Sequence, residues 1–81
     1  MKQVGTVIHY YGKIGVAILK LSAPLKVGDR IKFEGHGADF EQEVSSMQVE
    51  HKSIEEAKAG DEVGMKTEQA VKEGTEVSLE E

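Results

Sequence analysis

The chain has 81 residues, a formal net charge of −5 and no cysteine. A length of this order predicts one domain over residues 1–81 with a modest core, because a chain this small buries only about 60% of its unfolded surface. The composition excludes disulfides and thiolate metal sites, and no apolar run nears the roughly 20 residues that span a bilayer. Met1-Lys2-Gln3-Val4-Gly5 lacks the charged-then-apolar layout of a signal peptide, so the expectation is a cytoplasmic protein without membrane contact.

The acidic balance argues against a general nucleic-acid binder. The charge is uneven, however. Residues 1–33 hold six Lys or Arg and a single acid, Asp29, whereas residues 34–81 hold four Lys and fourteen acids. A local basic surface on an acidic protein is one reading of this asymmetry. The other is that the two halves intermingle in the fold and the field averages out.

In chain order, residues 3–9 predict a first strand, with Val4, Val7 and Ile8 β-branched and Gly5 marking a bend or a close backbone approach. Tyr10-Tyr11-Gly12-Lys13 predicts a hairpin tip. Residues 14–21 predict a second strand that is apolar on both faces. If Ala17, Leu19 and Leu21 point inward, Val16 and Ile18 point outward beside Lys20; the opposite choice strands Leu19, and either way a partner or another part of the chain must cover the second face. Ser22-Ala23-Pro24 interrupts the pairing, since proline has no N–H to donate. Residues 30–34 predict a third strand with Ile31 and Phe33 inward, and Gly35-His36-Gly37-Ala38-Asp39 a loop. Residues 40–51 predict a long fourth strand. Its apolar positions are even at Phe40 and Val44 but odd at Met47 and Val49, which calls for a β-bulge near Ser45-Ser46. Ser53-Ile54-Glu55-Glu56 has the form of a capping box and predicts one helical turn ending at Gly60. Strands over residues 61–67 and 75–79 follow, with Glu80 and Glu81 fraying.

One short pattern recurs. Leu25-Lys26-Val27-Gly28-Asp29-Arg30-Ile31 and Ala57-Lys58-Ala59-Gly60-Asp61-Glu62-Val63 share the form apolar, Lys, any, Gly, Asp, charged, apolar; Val71-Lys72-Glu73-Gly74-Thr75-Glu76-Val77 is a looser third copy. In each the apolar residue anchors the chain, glycine supplies a positive φ for the reversal, and an alternating strand begins after it. Three strand-entry turns in 81 residues predict an all-β fold: a small closed antiparallel barrel of six or seven strands with one short helical turn.

The catalytic inventory is thin. There is no Gly-x-Ser-x-Gly elbow and no P-loop, so neither nucleotide binding nor hydrolysis is expected. His9, His36 and His51 lack the tight paired spacing of zinc ligands and read as solvated side chains. Glu41 and Glu43 fall on one face of a strand; a solvated edge that discourages aggregation explains them better than an acid/base pair. No cofactor and no enzymatic activity are expected. Tyr10, Tyr11 and Lys13 form an aromatic-basic tip that either stacks on bases and neutralises phosphates or closes one end of the barrel.

With Val44-Ser45-Ser46-Met47-Gln48 between them, the first two turn copies resemble domain II of the translational GTPases, as in elongation factor Tu and initiation factor two. Gly5 and Val7, with Gly15-Val16-Ala17, resemble that family's opening hairpin, and the likeness runs from about Gln3 to Leu79. The chain is also similar to the C-terminal domain of the collagenase-like peptidases. The first resemblance implies a non-enzymatic module of protein biosynthesis that docks on tRNA, ribosomal RNA or a ribonucleoprotein, with Tyr10, Tyr11, Lys13, Lys26, Arg30 and Lys32 as candidate contacts. The second implies a protein-interaction domain working with a separately encoded peptidase, with Val16 and Ile18 as its apolar interface. No aminoacyl-pocket motif is present, so no functional residue carries over from the factors.

Overall fold

The computed structural model describes residues 2–50 and 52–80 of the chain. Ten strands account for its regular structure: β1 (Lys2–Tyr11), β2 (Val16–Leu21), β3 (Leu25–Lys26), β4 (Arg30–Gly35), β5 (Ala38–Glu43), β6 (Met47–Val49), β7 (Lys52–Ile54), β8 (Glu56–Ala57), β9 (Glu62–Lys66) and β10 (Glu76–Leu79). Eight of them form one antiparallel sheet in the order β5-β4-β10-β1-β2-β9-β6-β7, and β3 pairs with β8 in a separate ribbon. The core lies on the inner face and is built from alternating residues, with Val7, Leu19, Ile31, Phe33, Val63 and Val77 almost wholly buried.

The three repeated turns have one geometry. Gly28, Gly60 and Gly74 take φ values of +99°, +93° and +92°, where a Cβ is strained. The residue after each glycine returns its amide to the lysine carbonyl at 3.1 Å in every copy. Its side chain also accepts the lysine N–H: Asp29 at 3.0 Å, Asp61 at 3.0 Å and Thr75 at 3.3 Å. Each turn then clips onto another part of the chain by a reciprocal pair of backbone bonds, to Val44, Leu21 and Val7 respectively. The third copy departs from Asp because Thr75 is fully buried, where a carboxylate would lose its hydration; its hydroxyl instead donates to the Lys72 carbonyl at 2.7 Å.

Several expectations change. The sheet is all-β as predicted, but hydrogen bonds do not close it: β5 and β7 are its two ends. No helix occurs among the described residues. Ser53 and Ile54 pair with Gln48 and Met47 in a β6–β7 hairpin, and Ile54 packs against the core. One helical turn has too few hydrogen bonds to offset its nucleation, so strand pairing wins. The parity change between Val44 and Met47 is real, but its cause is a break in the ladder over residues 44–46, where the chain leaves β4 at one end of the sheet and joins β9 near the other. The bulges lie instead in β1, between Gln3 and Gly5 and between Val7 and His9. The expected loop after Gly35 shrinks to the two residues His36 and Gly37, both at positive φ as the tight hairpin turn requires. Tyr10 and Tyr11 belong to β1, and the tip is residues 12–15. His51 and Glu81 lie outside the described residues; Glu80 is tied down, its amide donating to the Arg30 carbonyl at 2.9 Å.

Candidate functional site

Two outer faces of the sheet differ sharply in chemistry. On the outer face of β5-β4-β10, Arg30 and Lys32 stand among Glu34, Asp39, Glu41, Glu43, Glu76 and Glu80. Arg30 Nε lies 3.6 Å from Glu41 and 3.2 Å from Glu80; Lys32 Nζ lies 3.4 Å from Glu34 and 3.5 Å from Asp39. The hydrogen bond to Glu34, then the charge of Asp39, raises the pKa of Lys32. Hydrogen bonding between the neighbouring Glu80 and Glu41 carboxyls raises the pKa of Glu80 and lowers that of Glu41. Both cations are thus held by carboxylates, and the face is acidic. Glu41 and Glu43 sit on β5, an end strand of the sheet, as the edge reading expects.

The outer face of β1-β2-β9 is apolar at its centre. The alternation of β2 buries Ala17, Leu19 and Leu21 and turns Val16 and Ile18 outward, half-exposed. Register sets His9 beside Ile18 and Gly64, and Tyr11 beside Val16 and Lys66. Gly64 forms the floor: a Cβ there would stand 3.3 Å from Ile18 Cδ1 and 3.5 Å from Val16 Cγ1. The bulge after Val7 adds Ile8 to this side, 40% exposed, and Tyr11 is 48% exposed with its ring edge-on to His9 at 4.4 Å.

The six residues read from sequence as nucleic-acid contacts do not converge. Tyr10 pairs with Ala17 and packs against the core. Tyr11 and Lys13 lie at the β1–β2 hairpin, Lys26 lies on the β3–β8 ribbon opposite Glu56, and Arg30 and Lys32 are on the acidic face. Two histidines have structural surroundings at the third turn. His9 Nδ1 is 3.5 Å from Glu73, and the His36 ring covers Gly74 so closely that a Cβ there would sit 2.8 Å from Nε2. Among the described residues, no group of three His, Cys, Asp or Glu side chains is placed to hold a metal ion, and no helix is long and apolar enough to cross a membrane. An open cleft of about 420 Å³, lined by Gln42, Glu43, Ser45, Lys66, Thr67 and Glu68, lies between the end of β5 and the end of β9. Sequence reading missed Gln42, Gly64 and Ile8; only the Gly64 position, a glycine within an alternating strand, carried a signal of close packing.

The fold is shared with domains of known structure. Two crystal structures of the C-terminal domain of a Geobacillus thermoleovorans protein described as a U32 peptidase superpose with TM-scores of 0.92. They cover 96% and 99% of this chain and 99% and 93% of theirs, at 18% and 19% identity, and so establish the fold. In sequence, 78 residues, 95% of the chain, are 41% identical to part of an uncharacterised protease of Methanocaldococcus jannaschii. The chain spans about a fifth (19%) of that relative's length. No protein-family profile matches the sequence.

These neighbours support the peptidase-domain resemblance and overturn the reading as an elongation-factor-like, RNA-binding protein of protein synthesis. The physical reason is plain. The Lys-x-Gly-Asp turns that carried that resemblance are backbone devices for starting strands, and they specify how the chain folds rather than what it binds.

Proposed function

We propose that this chain is a non-catalytic domain of a U32-type peptidase, an interaction domain that works with the peptidase's catalytic part, either on the same polypeptide or separately encoded. The observation that carries this reading is the match of nearly the whole chain, at 41% identity, to a fifth of a protease, leaving four-fifths of that relative to hold other functions. The solved neighbours support it, since in them the same fold is a C-terminal domain. Several polar residues of this chain agree: His9 and His36 pack at the third turn, and Asp39, Glu41 and Glu80 are engaged in surface ion pairs.

Two measurements test the reading. The isolated 81-residue chain is expected to leave casein and gelatin uncut. Grafted in place of the matching 78 residues of the M. jannaschii protease, it is expected to give a soluble, cooperatively folding protein, where deletion of those residues exposes apolar surface that binds a hydrophobic dye. Hydrolysis by the isolated chain, or a deletion as compact and dye-free as the intact relative, contradicts the proposal.

A further inference from the structure

Among the described residues, four large apolar side chains are prominently exposed, and three of them, Ile8, Tyr11 and Ile14, belong to the β1–β2 hairpin. With the half-exposed Val16 and Ile18 they make the outer face of β1-β2-β9 apolar at its centre. Register lays this face out in three rows: Tyr11–Val16–Lys66, His9–Ile18–Gly64 and Thr6–Lys20–Glu62. The rim carries both signs. On β9 the exposed Glu62 and Lys66 stand two residues either side of Gly64. Lys20 Nζ is 3.9 Å from Glu62, Glu73 is 3.5 Å from His9 Nδ1, Lys13 sits at the hairpin tip, and Glu68 follows the end of β9. Lys13, Lys20 and Lys66 thus balance Glu62, Glu68 and Glu73, on a chain whose net charge is −5.

We infer that this face docks onto the same face of a second copy of the chain, about a two-fold axis running along the middle row His9–Ile18–Gly64. The charge of the partner surface is then the chain's own, and the register decides whether it fits itself. A two-fold along the middle row lays Tyr11–Val16–Lys66 of one copy over Thr6–Lys20–Glu62 of the other. Lys66 meets Glu62 of the second copy twice, once on each side of the axis. Ile18 meets Ile18 on the axis, and Val16 covers the aliphatic stem of Lys20. Each strand lies along its counterpart, in the aligned packing of face-to-face sheets. Gly64 raises no side chain, and Val16 and Ile18 lie over it, so nothing at the centre holds the two sheets apart. The other two-fold in the face runs along β2. It sets Lys20 against Lys20 and leaves Glu62 opposite Thr6, so like charges oppose it. Two β5-β4-β10 faces would repel each other outright, because six carboxylates outnumber Arg30 and Lys32 there. Self-association through β1-β2-β9 does not depend on the peptidase reading.

Sedimentation equilibrium of the 81-residue chain tests this. The 8.8 kDa chain is expected to approach twice that mass as its concentration rises. V16K/I18K is expected to stay monomeric over the same range and to unfold cooperatively, because both side chains are half-exposed on the outer face. Where that variant does not fold, V16T/I18T, which keeps β-branched side chains on the strand, takes its place. Charge exchange reads the axis. Lys66→Glu alone and Glu62→Lys alone each set like charges across it, and each is expected to weaken association about tenfold or more. The double exchange E62K/K66E restores both pairs with reversed sign and is expected to return the affinity to within about threefold of the native chain. A native chain still monomeric at about 1 mM overturns the proposal. A dimer untouched by V16K/I18K overturns the choice of face. A dimer indifferent to the single exchanges, or not restored by the double one, overturns the two-fold along the middle row.

Discussion

Gln42 on β5 and Lys66 on β9, strands that are not neighbours in the sheet, are joined by a side chain. The Gln42 amide donates from Nε2 to the Lys66 carbonyl at 2.9 Å, and its Oε1 accepts the Glu68 N–H at 2.9 Å. Gln42 is 3% exposed and is one of two buried polar side chains among the described residues. It bridges β5, an end strand of the sheet, to the end of β9 and satisfies two backbone groups there.

Replacing Gln42 with Met keeps much of the volume and removes both bonds. The expected loss is about 1–3 kcal/mol, because buried backbone groups are left without partners, moderated by water entering from the adjoining cleft. Chemical denaturation measures it, and amide exchange at Glu68 is expected to quicken more than the global change explains. An unchanged midpoint and unchanged exchange contradict a bridging role for this side chain.

The repeated turns predict a graded series. Gly28 and Gly60 have open space where a Cβ would go, so alanine there meets only the backbone cost of a left-handed residue, about 1–2 kcal/mol. Gly74 has the same φ and also the His36 ring at 2.8 Å, so Gly74→Ala is expected to be the most destabilising of the three. In a His36→Ala background the excess should vanish and the three costs converge. Equal costs in both backgrounds would show that the ring yields freely.

The Arg30, Glu41 and Glu80 cluster predicts a shallow pH dependence. The hydrogen bond from Glu41, with burial and the Glu41 charge, raises the pKa of Glu80 against the pull of Arg30; the same bond, helped by Arg30 and Lys32, lowers that of Glu41. Stability from Glu80 is complete below the ordinary carboxylate value of 4.5 and is lost as pH rises through its raised pKa. Stability from Glu41 is complete above that value and is lost as pH falls through its lowered pKa. The pair therefore stabilises most near pH 4.5, and by a small amount, since both groups are solvated and screened. Glu80→Gln keeps a donor to Glu41 at every pH. Its melting temperature is expected to match that of the native chain near pH 4.5 and to exceed it at neutral pH. A constant difference across that range contradicts the hydrogen bond between the two carboxyls.

The strands and turns were readable in the sequence because both are local. Alternation and Lys-x-Gly turns depend on neighbouring residues, so β2, β4, β9 and β10 lie close to where the pattern puts them. Alternation alone left the facing of β2 open, because either choice turns apolar side chains outward; the structure buries Ala17, Leu19 and Leu21. What failed was non-local. The capping box at Ser53 is a sound local signal, but the half-buried Ile54 gains more by joining Met47 across a hairpin. The parity change after Val44 was visible, yet whether a strand bulges or leaves its partner depends on which edge waits at the far end of the sheet. The basic residues of the first 33 positions looked like a surface in one dimension. Strand pairing set Arg30 and Lys32 among acids from residues 34–80, and left Lys13 and Lys66, distant in sequence, beside one apolar face.

Association of this domain with a peptidase's catalytic part is measured by titrating the 81-residue chain into the M. jannaschii protease segment outside the matched region, in a calorimeter. Saturable binding at one chain per segment is expected. No heat from the native chain contradicts the domain reading.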